Sequence, residues 1–141
     1  GFMKIKGGDS MTMDGRLCGL PLGGELNSHT KKVGYYYTML GNLLLNIHPD
    51  YLMFHLVFPE SVEETRVESS WLFNPRYAET GRFDPMNAVK FWQITNKQDW
   101  KVCELSQLGV QSAGYRPGWY SPRESLLAAF DREYLKLMEN F

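Results

Sequence analysis

Four strand-forming runs packed between Val33 and Phe73, with two capped helical stretches behind them, leave this chain few folds to adopt. Val33–Leu40, Asn42–His48 and Tyr51–Phe58 are rich in aromatic and aliphatic residues, and Gly41 and Pro49-Asp50 punctuate them. Thr65–Phe73 alternates cleanly, with Thr65, Val67, Ser69, Trp71 and Phe73 on one face and Arg66, Glu68, Ser70 and Leu72 on the other. The links are too short for crossovers, so residues 33–75 predict an antiparallel meander with one buried face. Strands followed by helices predict an α+β domain, with a helix laid across a curved sheet.

The helices announce their own ends. Asp84 suits an N-cap and Pro85 the first helical position, while Gly109 suits the stop, which predicts a helix over 84–109. Ser121-Pro122-Arg123-Glu124 is a capping box that opens a second helix over 121–140. Leu127, Phe130, Tyr134, Leu137 and Met138 form its apolar stripe. Residues 1–32 are a loop-rich lead-in with turn signals at Gly7-Gly8, Asp14-Gly15 and Gly23-Gly24, and one short strand expected at Met11–Met13. So much loop is unusual in a compact domain, and this segment is expected to lean on other structure. The chain is expected to form a single domain, 1–141, that begins inside a larger fold.

Composition removes several functions. Net charge is −1 with no basic run, which excludes a nucleic-acid surface. No apolar stretch reaches the roughly 18 residues of a membrane span, and the first residues are too short and polar for a signal peptide. Cys18 and Cys103 have no metal-type spacing and read as free thiols of a cytoplasmic protein.

Asp99 is the residue that asks for chemistry. On a helical wheel it falls beside Ala88, Trp92, Cys103 and Ser106, while Lys90, Gln93, Lys97, Lys101 and Glu104 lie opposite. A carboxylate facing a core is costly unless a cation or donors meet it. Either a metal ion or hydrogen bonds from Trp and backbone donors would do so. Trp92 and Cys103 on this arc, with Tyr36 on the sheet, are the candidate substrate-pocket residues; ordinary core packing accounts for each of them too. His29 lies in a loop, and His48 and His55 bracket the Pro49-Asp50 turn as possible cross-strand neighbours. None has the i, i+4 spacing of a helical zinc pair, so hydrogen-bonded structural histidines are expected.

Several stretches read together resemble a known family: Asn42–Tyr51, Thr65-Arg66-Val67-Glu68 with Trp71-Leu72-Phe73, and Phe83-Asp84-Pro85. Phe91-Trp92, Gln98-Asp99-Trp100, Cys103-Glu104, Tyr115-Arg116-Pro117-Gly118 and Tyr120-Ser121 continue the likeness, as does Met11-Thr12-Met13-Asp14-Gly15. The chain resembles the C-terminal catalytic domain of Rieske-type ring-hydroxylating oxygenase alpha subunits. The resemblance implies a helix-grip (START/Bet v1-like) fold and mononuclear Fe(II) held by two histidines and one Asp, the Asp matching Asp99. It implies O2 activation and oxygen insertion into an aromatic or related small organic substrate, such as an aromatic acid or a betaine. Electrons would come through a ferredoxin or reductase and a 2Fe–2S cluster.

The cluster's Cys-x-His and Cys-x-x-His motifs are not in this sequence, nor is the family's two-histidine helix. The chain is therefore expected to be a fragment, without bound iron or turnover alone, and to self-associate as a homo-oligomer through its uncovered sheet edge. The competing reading is a stand-alone helix-grip module that binds small ligands without metal; an Asp99 aimed into the cavity would argue against it.

Overall fold

The computed structural model describes residues 1–23, 27 and 30–139. Five strands run in chain order as one antiparallel sheet: β1 (Phe2–Lys4), β2 (Val33–Met39), β3 (Leu43–Ile47), β4 (Tyr51–Pro59) and β5 (Thr65–Phe73). The four expected strands form within a residue or two of their predicted ends. The sheet is the curved antiparallel sheet of an α+β fold. β1 was not anticipated; three residues carry too little alternation to register. The strand expected at Met11–Met13 does not form, because Thr12 turns the chain there, its hydroxyl donating to the Arg16 carbonyl at 2.7 Å. Gly15, with φ +74°, completes that turn.

Register decides which side chains share a face. Tyr36 pairs with Asn46, Asn46 with Met53, and Met53 with Trp71, so these four form one row across β2–β5. Tyr51 pairs with Phe73, and His48 donates its backbone N–H to the Tyr51 carbonyl at 2.9 Å. This is the buried, inner face. His55 lies on it too, opposite Leu44 and Ser69. His48 and His55 are therefore not cross-strand neighbours, since the tight turn sets His48 against Tyr51.

Past a short helix, α1 (Pro75–Ala78), the Asp84 carboxylate accepts from the Met86 N–H at 3.1 Å and starts α2 (Met86–Val110). Ala88, Trp92 and Asn96, four residues apart, are its buried stripe. Ala88 and Trp92 pack with Cys18, Tyr51 and Met53, against which Tyr36, Trp71, Phe73 and Phe91 also rest.

The lead-in does lean on other structure. The fully buried Asp50 carboxylate accepts from Ser10 Oγ and from the Cys18 N–H, both at 2.6 Å. Gly19 passes so close that a Cβ there would lie 2.9 Å from the Asp50 carbonyl oxygen. The Tyr51 hydroxyl donates to the Met11 carbonyl at 2.6 Å and accepts from Trp92 Nε1 at 2.7 Å. Asn87 Nδ2 donates to Asp14 at 2.8 Å, and the Met13 N–H to the Asn87 carbonyl at 3.0 Å. One loop is thus tied to both the sheet and the start of the helix.

Gly1–Cys103 forms one compact unit and Glu104–Phe141 a second. In the second, Glu124 accepts from the Ser121 N–H at 2.7 Å as the capping box predicts, and α3 (Ser125–Met138) follows. Its stripe of Leu127, Phe130, Tyr134, Leu137 and Met138 is exposed. Among the described residues no helix is long and apolar enough to cross a membrane.

Tyr51→Phe deletes one hydroxyl and leaves a carbonyl and an indole N–H unpaired in the interior. The expected cost is about 1–3 kcal/mol, read as a lower urea midpoint at unchanged slope. An unshifted midpoint would show that the hydroxyl is not a tie.

Candidate functional site

The inner face between β2–β5 and the first half of α2 gathers the polar groups that the fold itself leaves without work. His48 sits at its centre, 2% exposed. Its ring stacks on Tyr51 at 4.5 Å, tilts toward Trp92 at 5.5 Å and meets Tyr36 edge-on at 6.0 Å. Neither ring nitrogen has a hydrogen-bond partner among the described residues. Burial pushes the imidazole down to about 4, so at neutral pH it carries one N–H donor and one acceptor nitrogen. The hydrogen-bonded histidine expected here is thus corrected: aromatic neighbours surround the ring and offer it nothing to bond. His55 fits the expectation, its Nδ1 lying 2.8 Å from Ser69 Oγ. His29 lies outside the described residues.

Two further groups on this face are buried and have no hydrogen-bond partner among the described residues, the Tyr36 hydroxyl and Trp71 Nε1. Desolvation raises the Tyr36 phenol, which stays protonated and able to donate. Desolvation and the neighbouring Asp50 carboxylate raise the Cys18 thiol, so it is an inert, neutral core group.

Of the three pocket candidates, Trp92 and Tyr36 meet on this face and Cys103 does not. Cys103 is exposed, which corrects its assignment as a small core residue. Asp99 is also exposed, which corrects its predicted burial. The wheel placed it on the correct side of the helix, since Ala88, Trp92 and Asn96 share its arc. The buried stripe, however, spans only roughly 12 Å of helix axis at 1.5 Å per residue and ends at Asn96. Every α2 residue from Lys97 to Cys103 is exposed, so Asp99 lies beyond the packed contact. Asp99 makes no ion pair among the described residues. The orphaned groups were legible only in part: alternation puts Trp71 with Phe73, but register and the turn are needed to bring Tyr36 to His48.

The residues present do not fit an iron site by themselves. Among the described residues no three His, Cys, Asp or Glu side chains come together as a metal ion would require. Asp99 offers one exposed carboxylate.

Comparison with known proteins gives the context. The family model described as "Ring hydroxylating alpha subunit (catalytic domain)" matches residues 1–140. The chain is 30% identical over 125 residues to the glycine betaine monooxygenase oxygenase subunit of Pseudomonas aeruginosa, covering 83% of this chain and 27% of that protein. It is 33% identical over 118 residues to the subunit of the same name from Chromohalobacter salexigens, covering 83% and 26%. The chain thus spans about a quarter of the length of the curated relatives it matches.

The buried His48 has a pH consequence. Its folded value lies below the usual 6.5, so as pH falls the unfolded chain takes up the proton first. Stability is fully present above about pH 6.5 and declines as pH falls to about 4, by on the order of 3 kcal/mol. His55, also lowered by burial, acts in the same sense. Melting temperature should therefore drop less steeply between pH 7 and 4.5 in His48→Phe than in the parent. Parallel curves would place the parent's acid sensitivity elsewhere.

Proposed function

Because this chain belongs to the catalytic-domain family of ring-hydroxylating oxygenase alpha subunits, we propose that it supplies the substrate-facing wall of a Rieske-type non-heme iron oxygenase. The observation that carries the reading is the inner face itself. It is an aromatic, uncharged face between helix and sheet, with buried hydrogen-bonding groups that have no partner among the described residues. Such a face suits a small organic molecule, holding it by shape and a few polar contacts while the packed rings exclude water. The relatives' names, glycine betaine monooxygenase, support a betaine as the substrate class in preference to an aromatic ring.

In the proposed whole subunit, Asp99 is the carboxylate ligand of Fe(II), and the two histidine ligands come from outside this chain. The bound iron would supply O2 activation, with electrons delivered from a ferredoxin or reductase through a 2Fe–2S cluster. This chain alone would have no turnover. Self-association into a homo-oligomer would cover apolar side chains such as Leu127 and Phe130 that α3 leaves exposed. Asp99 is exposed, so its position does not separate the oxygenase from a stand-alone ligand carrier, and the family match favours the oxygenase.

Asp99→Asn tests the ligand assignment. In this chain the change is at an exposed site and should move stability by less than about 0.5 kcal/mol. In a full-length alpha subunit carrying this sequence, the same change should strip the mononuclear iron, because a neutral amide is a poor iron ligand. Metal analysis that finds iron content unchanged would remove Asp99 from the site.

A further inference from the structure

A groove on the charged side of α2 takes no part in the inner face. Met13 of the lead-in and Lys90, Gln93, Ile94 and Lys97 of α2 line it, around a space of about 180 Å³. The turn that carries Met13 is tied to the helix. The Met13 N–H donates to the Asn87 carbonyl at 3.0 Å, and Asn87 Nδ2 donates to Asp14 at 2.8 Å. Met13 is thereby held beside the helix with its side chain 52% exposed, and Ile94 is 50% exposed. Ile94 follows Lys90 by four residues and precedes Lys97 by three, so the three side chains adjoin on the helix surface.

The charge of the groove is unbalanced. Lys90 and Lys97 make no ion pair among the described residues, and no Asp or Glu lines the space. Asp14, beside Met13 in sequence, is already committed: it accepts from the Thr12 hydroxyl, the Arg16 N–H and Asn87. Two ammonium groups, rooted about 10 Å apart along the helix axis, therefore flank two uncovered apolar side chains. Size decides between occupants. Small-molecule sites enclose roughly 300–1,000 Å³, so this space is too small for such a ligand. It matches one apolar side chain anchored at a protein interface.

We propose that this groove docks a protein partner presenting one large apolar side chain flanked by carboxylates. The apolar side chain packs on Met13 and Ile94. The carboxylates pair with Lys90 and Lys97, and the Gln93 amide adds a donor. The anchor supplies most of the affinity, while the charges orient the encounter and exclude basic partners. The proposal is independent of the oxygenase reading, because these side chains lie off the buried stripe of α2.

The test is a titration of the protein with the acetylated, amidated peptide Glu-Glu-Leu-Glu-Glu, followed by NMR at the Met13 and Ile94 methyl groups. At low salt the peptide should shift both. Raising the salt from about 0.01 M to about 0.15 M should weaken binding several-fold, as the screening length shortens from about 30 Å to about 8 Å. Lys90→Gln and Lys97→Gln should each lose about two- to fivefold in affinity, the scale of an exposed ion pair. A peptide with Ser in place of Leu should bind about tenfold more weakly, because the apolar anchor is gone. Lys4→Gln, on β1, should bind like the parent. Each variant is at an exposed site, and an unchanged melting temperature confirms its fold. Absence of methyl shifts at low salt, or equal binding of the two peptides, would overturn the proposal. So would Lys90→Gln and Lys97→Gln proteins that bind like the parent, or a Lys4→Gln protein that loses as much as they do. Each of these results leaves the oxygenase reading standing.

Discussion

The Tyr51 hydroxyl joins three parts of the chain at one buried point. It donates to the loop at Met11 and accepts from α2 at Trp92, while its ring belongs to the sheet and is wholly buried. Its neighbour Asp50 holds the same loop at Ser10 and Cys18. Buried polar groups are stabilising only when every partner is in place, so these bonds fix one geometry. That geometry explains how the loop over residues 10–18 is held without regular structure: its hydrogen bonds go to Asp50, Tyr51 and Asn87.

The functional face follows from that tie. With Trp92 drawn down onto Tyr51, the His48 ring is enclosed by aromatic neighbours and cut off from water. The fold thereby holds a neutral imidazole and a neutral phenol side by side, neither with a hydrogen-bond partner among the described residues. Such an arrangement is destabilising and is the kind of local conflict found at functional sites.

How much of this could be read from the sequence differs by element. The four long strands were legible because each alternates or is bounded by Gly or Pro-Asp, and α2 because Asp84 and the apolar spacing mark its start. β1 was too short to see. Met11–Met13 looked like a strand because its apolar residues alternate, but the Thr12 turn and Gly15 prevail locally. For Asp99 and Cys103 the wheel gave the correct face and the wrong burial. Periodicity reports direction around a helix axis, not how far along it the packing partner extends. Tyr36 and Trp92 were identifiable as inward-facing. His48 was not, because its isolation depends on a tight turn and three aromatic rings from distant positions.

The central claim is that loop, sheet and the first half of α2 form one cooperative unit through Tyr51 and Asp50. Native-state hydrogen exchange at the Trp92 indole N–H and the Cys18 amide tests it most directly. If the claim holds, both protons exchange only through global unfolding, with the same free energy and the same denaturant dependence as the core amides of β4. Exchange of either proton through a low-energy local opening, while the β4 amides stay protected, would contradict it.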